Sequence, residues 1–167
     1  MVLLGQRVER EAAGVKCGIM DQFAVVHGKK DHAVLLDTRD MSYVHVPVDS
    51  LRAHWILVNS GVKHSLRESG YNDRRRQCEN ALSVMKGKGI AGEHLCDIAL
   101  SDYERVRHEL PEAERKRARH AITENIRTLE FNICMTKGDY EAAGRLLFGS
   151  HESLRDNFEV SIPEIDQ

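Results

Sequence analysis

The stretch from Pro111 to Gly138 constrains the fold most. Proline costs least at the first position of a helix, and glycine is a common terminator. Between them Ala118, Ile122, Ile126, Leu129 and Ile133 recur at spacings of three and four. That spacing predicts one long amphipathic helix with these five side chains as its buried stripe. More helix is predicted on either side. Tyr71, Arg74, Cys78, Leu82 and Met85 keep helical spacing up to Gly87 and Gly89, and a last helix is expected over about Tyr140 to Asn157. Ser101, with Glu104 three residues on, has the pattern of a capping box for a helix over Asp102 to Leu110.

The first third of the chain is different. Val2 to Ala13 reads as a helix, with Leu4, Val8 and Ala12 four apart, Arg7, Glu9, Arg10 and Glu11 as the wet face, and Gly14 as the stop. A short helix is expected from about Gly18 to His27. Then His32 to Asp37 and Tyr43 to Val48 read as an antiparallel pair of strands. The nearly continuous apolar run His54 to Ser60 is expected to be a central strand covered on both faces. A boundary is therefore expected near residues 49 to 54. The chain opens inside a helix without a visible N-cap, and it stops just after Pro163-Glu164, which would begin another helix. Both ends are expected to interrupt structure, leaving surfaces prone to self-association.

Composition narrows the function. With 41% hydrophobic and 30% charged residues the chain is of globular type, and a net charge of −2 argues against a nucleic-acid or membrane-surface role, which needs a positive field. No apolar run approaches the roughly 20 residues that span a bilayer, and the start lacks the features of a signal peptide. Cys17, Cys78, Cys96 and Cys134 are scattered, with no Cys-x-x-Cys pair, and the nine histidines form no metal-ligand spacing. No metal site is expected, and buried reduced thiols in a cytoplasmic protein are the expectation.

Two segments suggest chemistry. In Gly14-Val15-Lys16-Cys17-Gly18-Ile19-Met20-Asp21-Gln22-Phe23, two glycines four apart lead to a helix whose first turn carries Asp21. A helix N-terminus favours negative charge, so Asp21 serves either as a site residue or simply as a complement to the helix dipole. In Val58 to Glu79, a strand end leads through a polar loop to a helix headed by Tyr71, whose ring can pack on a sugar face and whose hydroxyl can bond it. Arg74, Arg75 and Arg76 follow. Three consecutive helix residues point three ways, so an ion-paired or solvated face is expected there rather than a phosphate site.

Taken together, Cys-Gly-Ile-Met-Asp-Gln-Phe, the block from Asn59 through Ser65, Tyr71-Asn72 and Arg74-Arg75 to Gln77-Cys78-Glu79, and the tail Ser150 to Asp166 resemble the galactokinase branch of the GHMP small-molecule kinases. The similarity covers essentially the whole chain. It implies an α+β fold, with residues 1–51 as the last part of the family's N-terminal domain and residues 52–167 as the first part of its C-terminal domain. It implies that the parent protein phosphorylates D-galactose at the anomeric C1 hydroxyl, using ATP and Mg²⁺. Asp21 then matches the catalytic aspartate, Gly18 a glycine whose backbone approaches the sugar, and Tyr71 a tyrosine that bonds a sugar hydroxyl. The family's upstream sugar-recognition run, its serine-rich ATP loop and its downstream glycine-rich segment find no counterpart in these 167 residues. The chain is thus expected to be a central portion, inactive alone. A galactokinase-like sugar-binding or regulatory protein and an N-acetylgalactosamine kinase are the alternatives.

Overall fold

The computed structural model describes residues 1–14, 17–48, 54–62 and 69–167, with the side chains of all of these except Ala13, Ser69 and Tyr71. The fold is of α+β type, rich in helix. Its contacts divide it into two compact units, Met1–Leu57 with Asn132–Glu141 and Val58–Phe131 with Ala142–Gln167.

In the first unit, helix α1 (Val2–Ala13) ends where Gly14 takes a left-handed φ of 67° and its N–H bonds back to the Arg10 carbonyl. The expected apolar face of α1 is bare: Leu3, Leu4 and Val8 are exposed, while Val2 is buried. The helix instead turns Val2, Gly5, Gln6, Glu9 and Arg10 toward helix α2 (Met20–His27) and the loop before it. Periodicity reports which face gains from leaving water, not which face a neighbour takes.

Strands β1 (His32–Leu36) and β2 (Tyr43–Pro47) pair antiparallel, with Val34 opposite His45. Their turn is closed by the Asp37 carboxylate, which accepts hydrogen bonds from Arg39 and is thereby held down to about 2. Val2, Ile19 and Phe23 make a small core, with Val34, Leu36 and Met41 packed on it. Phe23 stacks on His27 at 4.3 Å and meets the edge of Tyr43 at 5.2 Å.

Residues 54–60 form no strand, contrary to expectation, and Leu57 is 97% exposed. A strand exists only with a hydrogen-bonding neighbour. Among the described residues β1 and β2 pair only with each other.

The second unit is built from helix α3 (Ser69–Gly87), helix α4 (Leu100–Val106), the larger part of helix α5 (Glu112–Lys137) and nearly all of helix α6 (Tyr140–Ser153), which passes into a π-helical turn, Leu154–Phe158. Its core joins Ala81 and Met85 of α3, Ile90, Leu95 and Ile98 of the connection, Tyr103 and Val106 of α4, Leu110, and Ala118 and Ile122 of α5. Helix α4 starts two residues earlier than expected, with Ala99 as its N-cap and no side-chain cap. Glu104, expected in a capping box, pairs with Arg107 instead. The stripe of α5 is buried only at Ala118 and Ile122, whereas Ile126, Leu129 and Ile133 are exposed. The segment from Pro163 makes a turn, not a helix.

Arg117 of α5 is buried, at 2% exposure. Its Nε donates to Gln77 Oε1 at 2.8 Å, its Nη1 donates to the Asn157 carbonyl, and its Nη2 meets Glu159 Oε2 at 2.5 Å. Lys116 donates to the other Glu159 oxygen at 2.8 Å. The hydrogen bonds from Lys116 and Arg117 hold the Glu159 carboxyl down at about 2. Beside them the buried His120 bonds Ser153 Oγ through Nδ1 at 3.0 Å and stacks on Phe158 at 4.5 Å.

Two outcomes are expected. Replacing Glu159 by Ala strands the buried Arg117 charge, and chemical denaturation should show a loss of about 3 kcal/mol, the low side of what breaking a buried pair costs. Burial lowers the His120 pKa from its usual 6.5, so the folded chain favours neutral imidazole. The sign follows: this contribution is full above about 6.5 and is lost as pH falls below it, so His120→Gln should flatten the decline in unfolding free energy on the acid side of about pH 6.5.

Candidate active site

Asp21 is the second residue of α2, in the first turn, where the unpaired N–H groups of the helix present partial positive charge. Ile19, the residue before the helix, provides no side-chain cap. The Asp21 carboxylate is exposed, and among the described residues it has no hydrogen-bond or ion-pair partner. It sits where a helix dipole favours an anion, and its oxygens remain available to a ligand.

Gly18 lies three residues before it. Among the described residues an added Cβ there would meet nothing within 4 Å, and its φ is not left-handed. Nothing in the chain's own packing explains a glycine here. Open space beside its backbone lets another molecule approach closely.

The loop segment that carries Gly18 is held by α1. Gln6 Nε2 donates to the Gly18 carbonyl at 2.8 Å and to that of Cys17 at 3.3 Å. Arg10 donates to the Cys17 carbonyl through Nη2 at 2.7 Å and Nε at 3.1 Å. Gln22 donates to Glu9, and the stem of Gln22 lies 3.2 Å from where a Cβ on Gly5 would sit. Two carbonyls and the residue after Asp21 are therefore tied to one helix. In the sequence Glu9 and Arg10 read as part of a wet face, and Gly5 and Gln6 carried no expectation. Their signal was the spacing of Gly5, Gln6, Glu9 and Arg10 at one, three and four, which marks one helical face just upstream of a glycine loop.

Tyr71 is the third residue of α3, and its side chain lies outside the described residues, as do residues 63–68 of the loop before it. Gly18 and Asp21 belong to the first unit and Tyr71 to the second. The three arginines that follow are committed within the chain: Arg75 pairs with Glu79 at 2.9 Å, Arg76 with Asp73 at 2.8 Å, and Arg74 donates to the Phe158 carbonyl at 2.7 Å. Among the described residues no three His, Cys, Asp or Glu side chains converge to hold a metal ion. A recess between α5 and α6, lined by Glu124, Arg127, Phe131, Leu147 and Ser150, is internally satisfied, because Ser150 and Arg127 both bond Glu124.

Comparison with known proteins follows the same lines. No family model matches the chain. It is 44% identical to the galactokinase of Thermotoga maritima over 99% of its own length and 45% of that protein's. It is 41% identical to the human galactokinase over 97% of its own length and 40% of that protein's. In structure it resembles the Lactococcus lactis galactokinase crystallised with galactose, with a TM-score of 0.87 and 32% identity over 99% of this chain and 42% of that one. The chain spans less than half the length of the curated relatives it matches. In both sequence and fold, along nearly its whole length, the chain matches a stretch of the galactokinases that makes up less than half of each.

Proposed function

We propose that the full protein is a galactokinase, transferring the γ-phosphoryl group of ATP to the anomeric hydroxyl of galactose, and that this chain supplies the sugar-facing side of its site. The observation that carries the reading is the loop Cys17 to Asp21. Among the described residues it combines a carboxylate without a partner, a glycine with open space beside it, and a fixed backing of Gln6 and Arg10. The galactose held by the Lactococcus lactis relative supports the choice of sugar.

Asp21 orients the sugar hydroxyl toward the phosphoryl group and accepts its proton as the new O–P bond forms. Gly18 lets the sugar approach the backbone, and Tyr71 bonds a second hydroxyl. Clamping the Cys17 and Gly18 carbonyls from α1 keeps the carboxylate in a near-attack position, which is where much of the rate of such a transfer originates. ATP would supply the electrophile and Mg²⁺ would neutralise its charge; among the described residues no three His, Cys, Asp or Glu side chains converge to hold the metal. Among the described residues no helix is long and apolar enough to cross a membrane. None of the four cysteines is joined in a disulfide, which supports a reducing, cytoplasmic setting. The exposed Leu3, Leu4, Val8, Ile56, Leu57 and Phe148 support self-association of the 167-residue chain on its own.

Three measurements test this reading. In the full protein, Asp21→Asn should lower kcat for galactose by about 10²–10⁴-fold, the usual worth of a positioned base. The same variant should unfold within about 0.5 kcal/mol of wild type, because the side chain it alters is exposed and unpaired. Wild-type turnover in the Asn variant would remove the base, and preference for N-acetylgalactosamine over galactose would change the substrate. Arg10→Ala should cost kcat about tenfold through looser placement of the loop while leaving the KM for ATP near its original value.

A further inference from the structure

The two halves of α3 are held by different forces. From Cys78 onward the helix is anchored by apolar burial: Cys78, Ala81, Leu82, Val84 and Met85 all belong to the core cluster or pack on it. Before Cys78 the sequence reads Ser-Gly-Tyr-Asn-Asp-Arg-Arg-Arg-Gln, which offers the core almost nothing apolar. This polar half is tied instead by directed bonds. Arg74 Nε donates to the Phe158 carbonyl at 2.7 Å, and its Nη2 donates to the Glu159 carbonyl at 3.1 Å and lies 3.9 Å from the Glu159 carboxylate. Gln77, one turn on, accepts from the buried Arg117.

The receiving end of these bonds is built to stay still. Phe158 closes the π-helical turn and stacks on the buried His120. Glu159 follows at a left-handed φ of 56°, unusual for a residue that is not glycine, and is held there by Arg117 and Lys116. The end of the π-helical turn presents to α3 two consecutive carbonyls, those of Phe158 and Glu159, of the kind a helix C-terminus leaves open, and a planar guanidinium takes both. A bidentate tie of this kind fixes rotation about the helix axis as well as distance. Apolar contacts one and two turns away do that less well, because they are not directional.

Tyr71 lies three residues before Arg74 in α3, about one helical turn away along the backbone. We propose that Arg74, fastened to the Phe158 and Glu159 carbonyls, is a positioning residue that sets the place of Tyr71 in sugar binding. This rests on the reading of Tyr71 as a sugar contact. Arg74 touches neither substrate. It acts by holding the first turns of α3 in one orientation, with the π-helical turn as the fixed point.

The test uses the full protein, with Arg74→Ala, Arg74→Lys, Tyr71→Phe and the double variant Tyr71→Phe/Arg74→Ala. Arg74→Ala should raise the galactose KM about tenfold and leave the ATP KM within about twofold, since it disturbs one substrate's contact. Lysine, which keeps the charge but reaches one carbonyl rather than two, should restore part of the loss. The double variant should be little worse than Tyr71→Phe, because both changes act through one contact. Hydrogen exchange should quicken at the amides of residues 72–77 and stay unchanged at residues 81–87. Equal rises in both KM values, additive losses in the double variant, or exchange that quickens evenly along α3 would overturn the proposal. If Arg74→Ala does not fold, the Lys variant completes the same cycle. Tyr71→Phe with an unchanged galactose KM, or a wild type inactive on galactose, overturns the underlying reading and the proposal with it. A damaged Tyr71→Phe beside an intact Arg74→Ala overturns the proposal alone.

Discussion

The buried Arg117 is the interaction on which the second unit depends. A guanidinium out of water is tolerable only when its donors are met, and here they are met by Gln77 of α3, the Asn157 carbonyl in the π-helical turn and the Glu159 carboxylate beyond it. One side chain of α5 thus reads out whether α3 and the end of α6 are both in place. Hydrophobic burial around Ala118 and Ile122 supplies most of the attraction. It would be satisfied by several helix orientations. The arginine, with its fixed fork of donors, is satisfied by one.

The first unit uses the same device at smaller scale and closer to the chemistry. Its core is small, built on Val2, Ile19 and Phe23, so little apolar force is available to place a loop. Gln6 and Arg10 take over by binding the Cys17 and Gly18 carbonyls. Among the described residues Asp21 has no partner, and the helix dipole lies behind it.

How legible these features were depends on the range of the forces involved. Helices α1, α2, α3, α5 and α6 and the β1–β2 hairpin follow from spacing, glycine stops and Pro111, because local sterics and hydrogen bonding decide them. Asp21 and Gly18 were legible as a motif. Their backing was not, since nothing in Gln6 or Arg10 taken alone says that a carbonyl eleven or seven residues later will meet it. The start of α4 moved by two residues for a similar reason: Glu104 had Arg107 within reach, and that pair competes with the capping box. The run 54–60 failed as a strand because a strand is a property of a pair, and the pattern of one segment cannot supply its neighbour.

The sequence alone determined most of the elements and the family resemblance, and it marked Asp21, Gly18 and Tyr71 as candidates. Each of these rests on neighbours a few positions apart or on a motif read in order. Tertiary structure decided which face of α1 turns inward, that Ile126, Leu129 and Ile133 stay exposed while Ala118 and Ile122 are buried, and that three adjacent arginines go to separate partners. Periodicity gives a helix an apolar side. Which stretch of that side meets another element, and which polar group ends beside which carbonyl, is settled only when residues 40 or 80 positions apart are brought together.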